Sequence, residues 1–184
     1  GKFNPDGTVT RAEFLKMAMD SFGIVGHAYR DGECLDATND DWYCYYLQGA
    51  LDKDIIPKEM IENCNVTKVT KTLAEATDDK KAVTTDVNVY TGKFDGDKPI
   101  TREEMAAIAV RCKNYKMRRL TDWDNERRYP IFSFKDSDEI DEKYISDVVE
   151  AYNLNYIDGM EDGRFAPKEN LTRAQAAVVM NNLK

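Results

Sequence analysis

The sequence predicts a mainly α-helical fold of repeated helix–loop–helix units, with one small irregular or β insertion. Three observations predict it. A phrase, Phe-x-x-x-x-x-(Val/Ile/Leu)-Thr-Arg, recurs with identical spacing at Phe3 to Arg11, Phe94 to Arg102 and Phe165 to Arg173. Each copy opens a segment whose apolar residues fall at i, i+3, i+4 and i+7, the stripe of a helix with one face in a core. Only the stretch around Val83-Thr84-Thr85-Asp86-Val87-Asn88-Val89-Tyr90 alternates enough to suggest a strand or small hairpin, so β structure is expected only near residues 58–92. Repeats at this scale dictate architecture, because one unit cannot bury its apolar face alone.

The elements follow in order. Thr10 is the N-cap of the first helix and Glu13, three residues on, completes a capping box. Its stripe is Phe14, Met17, Ala18 and Ser21. An acidic loop through Cys34-Leu35-Asp36 leads to a short helix from about Trp42 to Leu51 and a turn at Ile55-Ile56. After the insertion, Thr101 and Glu104 cap a second striped helix carrying Met105, Ile108, Ala109 and Cys112. A basic stretch from Arg111 to Arg128, with Tyr115 and Trp123 interleaved, reads first as a solvated linker and second as a patch that touches an acidic polymer. Phe134-Lys135-Asp136 leads into a short helix from Glu142 to Tyr152, and Asp162-Gly163-Arg164-Phe165-Ala166-Pro167 makes a turn. Thr172 and Gln175 then cap a helix with Ala176, Val179, Met180 and Leu183 on its stripe.

Capping does not explain the arginines. Arg11, Arg102 and Arg173 fall at the first helical position, where the helix dipole disfavours a cation by roughly 0.3–1 kcal/mol. An arginine placed there three times has another task. It pairs with a buried carboxylate of a neighbouring repeat, or it joins the helix N–H groups in holding an external anion. The two roles can coexist.

Residues 134–183 resemble a complete motif of the S-layer homology family: an F-x-D start, a G-x-x-D-G-x-F-x-P turn, then L-T-R-A-Q. Trp42 through Ile56 resembles the first helix of such a motif, and Gly1 through Phe22 its second half. The resemblance implies a single module over residues 1–184 with three motifs in a pseudo-threefold bundle. Motif one would be represented by its second half, 1–24. Motif two would occupy 34–114 with the insertion at about 58–92, the linker 115–131, and motif three 132–184. It further implies an extracellular module, at the bacterial cell surface or wall. Such a module anchors a surface protein non-covalently by binding anionic secondary cell-wall polysaccharide, often pyruvylated, in grooves between motifs. Carried over by position, the glycan-binding residues are Arg11, Arg102, Arg173, Asp36, Asp136 and Trp42. Lys143 stands where motif two has Trp42, and motif two lacks the glycine turn after Ile56. A degenerate module serving protein–protein assembly at the surface is the alternative.

Composition narrows the remaining classes. A net charge of −8 with 34 acidic residues argues against a general nucleic-acid binder. No apolar run is long enough to span a membrane, and any export signal is expected upstream of Gly1. Four cysteines (Cys34, Cys44, Cys64 and Cys112) allow two disulfides, although Cys34 and Cys112 also fit buried thiols. With His27 as the single histidine and no CxxC, neither a metal site nor a cofactor is expected. Asn4 to Glu13 imitates the end of a calcium loop, but that register puts Lys2 at the first ligand position, where it cannot ligate. No nucleophile stands with a base, so an enzyme is not expected.

Overall fold

In a computed structural model, which describes residues 3–26, 33–38, 40–74, 81–118 and 134–183, the three repeated phrases meet and their backbones close a ring. Val9 N–H donates to Leu171 O (3.0 Å), Leu171 N–H to Ile100 O (2.9 Å), and Ile100 N–H to Val9 O (3.0 Å). Val9, Ile100 and Leu171 occupy the same place in their phrases and are all buried. A short extended stretch at each phrase thus pairs antiparallel with its neighbours, through Thr8 with Thr172, Thr10 with Pro99, and Thr101 with Asn170.

A helix leaves the ring from each phrase: α1 (Arg11–Ser21), α3 (Arg102–Arg118) and α5 (Arg173–Asn182). Thr10 and Thr172 make the expected capping boxes with Glu13 and Gln175. Thr101 makes the same reciprocal bonds with Glu104. Helix α3 is the central element. Every residue from Arg102 to Val110 is buried, so it is enclosed on all sides rather than on one stripe. Its stripe residues Met105, Ile108, Ala109 and Cys112 are fully buried, whereas Ser21 on α1 is exposed. Helices α2 (Cys44–Leu51) and α4 (Ile145–Asn153) pack on α1 and α3 respectively. Each is followed within three residues by a left-handed residue, Asp54 (φ 54°) or Asn155 (φ 56°), which lets Ile55 N–H reach Ala50 O and Tyr156 N–H reach Ala151 O.

The expectation of a mainly α bundle is corrected: the fold is mixed α and β. Strands β3 (Glu62–Ala74) and β4 (Val83–Lys93) form a long antiparallel ribbon, from Glu62 opposite Lys93 to Ala74 opposite Val83. Nor is β structure confined to the insertion. Strands β1 (Glu33–Cys34) and β2 (Ala37–Thr38) make a second small hairpin, and the ring adds extended pairs. The reason is physical. The pairing partner of Val83–Tyr90 is a Thr- and Lys-rich segment that lacks strict alternation, because most of the ribbon stands in solvent and buries neither face. The ring residues are extended only because distant segments offer hydrogen bonds to them.

The basic stretch is partly spent inside the fold. Helix α3 continues to Arg118, and its Arg111 Nη2 sits 3.2 Å from Asp147 of α4, while Lys113 Nζ sits 3.1 Å from Glu150. The remainder of that stretch, with Arg119, Trp123, Arg127 and Arg128, lies outside the described residues, as does His27. Cys64 and Cys112 are thiols, which excludes two disulfides, and burial pushes the Cys112 thiol far up. No helix among the described residues is long and apolar enough to cross a membrane.

The α3–α4 contact yields a pH prediction. Burial raises the Asp147 carboxyl above its ordinary 3.8, opposed by Arg111. A raised folded-state value means the native state binds more protons than the unfolded state in the window above 3.8, so its stability falls as pH rises through that window. Asp147→Asn lacks this titration. The denaturation midpoint of the wild type is therefore expected to decline relative to that of Asp147→Asn as pH climbs from 3.8. A flat or rising difference would refute this.

Candidate functional site

Each phrase arginine reaches forward to the next phrase in the ring. Arg11 Nη1 donates to Phe94 O (2.7 Å), Arg102 Nε to Phe165 O (2.7 Å), and Arg173 Nε to Phe3 O (3.0 Å). Each guanidinium also lies over the ring of that same phenylalanine, at 5.9, 5.1 and 5.6 Å from its centroid. The spacing from Phe to Arg is thereby explained: the phrase begins with an acceptor and platform for one neighbour and ends with a donor to the other.

The helix N–H groups are already used. Arg11 N–H and Ala12 N–H donate to Lys98 O and Gly96 O, Arg102 and Glu103 to Glu169 O and Pro167 O, and Arg173 and Ala174 to Gly7 O and Pro5 O. The third N–H of each helix goes to its cap threonine. Backbone donors at these helix starts are therefore not available to an external anion, contrary to one sequence-based expectation.

The three arginines differ in their charge partners. Arg11 is buried and forms a two-point ion pair with Glu104, including Nε to Oε2 at 3.2 Å. Arg102 is equally buried, but its bonds go to the carbonyls of Phe165 and Asp158, and burial lowers its pKa. Gln175 occupies the position on α5 that Glu104 occupies on α3, and it lines a cleft of about 190 Å³ together with Arg102. Tyr156 to Met160, Val178, Val179 and Asn182 complete that cleft. Arg173 is half-buried and lines a second, larger cleft of about 280 Å³ between α1 and α5. Trp42 lines it too, 52% exposed, with Phe3, 55% exposed, and Glu13, Lys16 and Met17.

The two acids do something else. Asp136 accepts from Phe165 N–H and Ala166 N–H, both at 2.8 Å, and Asp36 accepts from Phe94 N–H (2.7 Å) and Asp95 N–H (2.9 Å). The residue after each phrase phenylalanine is left-handed: Asn4 (φ 49°), Asp95 (φ 56°) and Ala166 (φ 59°). The F-x-D acid therefore clamps a strained turn through its two amides. Asp136 is buried and Asp36 exposed. Of the six residues singled out from sequence, the structure brings Trp42 and Arg173 into one cleft, sets Arg102 in another, and packs Arg11 and Asp136 inside. Sequence reasoning missed Phe3, Lys16, Met17 and Gln175 as cleft residues. The signal for Gln175 was present, since the residue two after each arginine reads Glu, Glu, Gln while the arginine stays constant.

Comparison with known proteins identifies the motif sequence. Residues 1–15 and 133–177 match the model of the S-layer homology domain. This chain carries S-layer homology sequence. That domain is a non-catalytic anchoring module of the cell wall, and the match places the chain outside the cell, in association with its surface or wall. An amylopullulanase of Thermoanaerobacterium thermosulfurigenes is 31% identical over 182 residues, 99% of this chain and 8% of the relative. Exoglucanase XynX of Acetivibrio thermocellus is 32% identical over 185 residues, 99% of this chain and 13% of the relative. An endoglucanase of Bacillus sp. (strain KSM-635) is 30% identical over 181 residues, 98% of this chain and 15% of the relative. The chain thus spans a small fraction of the length of these relatives.

Proposed function

We propose that the chain is a module of three S-layer homology motifs that attaches a larger surface protein to the envelope by binding an anionic secondary cell-wall polysaccharide, its acid a ketal-pyruvate. The module itself carries no catalysis. The observation that carries this reading is the cleft between α1 and α5. There the guanidinium of Arg173 lies over the ring of Phe3, and the half-exposed ring of Trp42 lines the same cleft. Exposed aromatic faces offer the apolar stacking surface that the C–H face of a sugar ring fits, and an arginine fork offers paired donors to a carboxylate. Three relatives with different catalytic names share this one segment, which fits a common attachment role better than a common reaction. Arg11 serves the fold rather than the ligand on this reading, because Glu104 and two carbonyls occupy it.

Arg173→Ala tests the proposal. Among the described residues Arg173 donates one hydrogen bond, to Phe3 O, and stacks on the exposed Phe3 ring, all at a half-exposed position, so its loss is expected to change stability by about 1 kcal/mol or less. Binding to purified cell-wall sacculi is expected to fall about tenfold, the effect of one charge-assisted contact. Sacculi stripped of their non-peptidoglycan polymer should retain neither protein. A variant that unfolds, while its residual folded fraction binds normally, would make Arg173 structural and remove the proposal's main support.

A further inference from the structure

We infer that the outward face of α5 is an interaction surface for a further short helix, carried by the stretch of the larger surface protein that leads into Phe3 and opened by an aromatic-x-Asp step. The inference rests on the proposed attachment of a larger protein, and it concerns what completes the module rather than what the module binds. Its basis is a comparison of three equivalent helices. Counted from the phrase arginines, Ala12, Leu15 and Met19 of α1 match Glu103, Ala106 and Val110 of α3. The same positions of α5 hold Ala174, Ala177 and Asn181. They fall at i, i+3 and i+7, on one face of each helix. That face is buried on α1 and α3, with every member at 3% exposure or less, and exposed throughout on α5. What covers it is visible in two cases. Helix α2 packs on α1 and α4 on α3, and Asp141 N–H, just ahead of α4, donates to Glu103 of that face (3.1 Å). Among the described residues no short helix packs on α5 in this way.

Two further shortfalls lie at the start of the first phrase. Phe94 and Phe165 are fully buried, whereas Phe3 is 55% exposed. The left-handed turns at Asp95 and Ala166 are clamped by Asp36 and Asp136, but no carboxylate among the described residues accepts from the amides of Phe3 or Asn4. Ahead of Phe165 a single segment meets all three needs. Phe134 stacks on Phe165 at 5.4 Å between centroids, Asp136 clamps the turn, and α4 covers α3. Chain order says where the corresponding segment belongs. The helix ahead of Phe94 covers α1, and the helix ahead of Phe165 covers α3. The arginine bonds run the same way, from Arg11 to Phe94, Arg102 to Phe165 and Arg173 to Phe3. A helix covering α5 therefore lies ahead of Phe3. The bare face carries no charge, so the seam it takes is small and apolar, as Val148 and Ala151 of α4 are. Docking makes Phe3 a buried platform for Arg173 without closing the cleft, since Arg102, over the fully buried Phe165, still lines one.

The test compares residues 1–184 with the same module carrying, ahead of Phe3, its own stretch as long as Phe134 to Arg164. Amide hydrogen exchange and thermal denaturation are measured on both, with and without Ala174→Arg combined with Asn181→Arg. In the longer form the Asn4 amide is expected to exchange at least about tenfold more slowly. The double variant is expected to lower the unfolding temperature of the longer form by about 5 °C or more, and that of residues 1–184 by about 2 °C or less. Unchanged exchange at Asn4, or equal shifts from the variant in both forms, overturns the inference. So does protection of α5 in residues 1–184 that grows with protein concentration, because a second copy would then be the occupant. Binding of the longer form to unstripped sacculi reads the attachment proposal separately, and its absence overturns that proposal while the exchange result stands.

Discussion

Glu104→Gln is expected to destabilise the protein by about 3 kcal/mol, a large part of the margin that holds any domain folded. The substitution isolates charge from capping. Gln175 shows that glutamine accepts from the N-cap amide at this position, here Thr172 N–H at 3.0 Å. What disappears is the carboxylate that Arg11 grips at two points. The pair sits with only 8% of each side chain accessible, so water cannot take over the role. Removing one member of a buried pair costs far more than the pair contributes net, because the other charge stays behind unsolvated. Denaturant titration should show the midpoint falling with an unchanged slope. A loss below about 1 kcal/mol would mean that Arg11 has found another partner or an opening to solvent.

Asp136→Ala is expected to cost about 3 kcal/mol, and Asp36→Ala clearly less. Both acids hold two adjacent amides of a left-handed turn. Burial separates them. Without Asp136, the amides of Phe165 and Ala166 are left dry, at roughly 1–3 kcal/mol per group, and a strained alanine loses its clamp. Without Asp36, which is exposed, water can bond Asp95 N–H, and aspartate tolerates the left-handed region better than alanine does. Equal effects in the two denaturation series would refute this ranking.

Local chemistry was legible in the sequence, and long-range chemistry was not. The three helix starts were readable because a cap is made by residues three apart, so Thr10 with Glu13 and Thr172 with Gln175 announce themselves. The stripe of α3 was readable, but its enclosure was not, since Ala106, Ala107 and Val110 become core only through what packs on them. Arg11 and Glu104 are 93 residues apart, and nothing local states that they meet. The likeness of Asp36 and Asp136 to a family acid marked them as noteworthy, and only the turn geometry shows that they serve the backbone. Trp42 and Arg173 were each singled out, but their shared cleft depends on how α1 and α5 are placed. The ribbon of β3 and β4 was half visible, through Val83 to Tyr90, because only one strand alternates.

The closed ring has a consequence for how the protein is made. In an open repeat array each unit contacts its immediate neighbours, so folding can begin anywhere and spread, and stability grows by increments. Here Val9 bonds Leu171, and Arg173 returns to Phe3. The first phrase cannot complete its pairing until the last has been synthesised, and loss of one phrase leaves the other two each with an open side. Such a chain is expected to fold slowly for its helix content, through contacts of very high sequence separation. It should also unfold as one cooperative unit, with neither end able to fray alone.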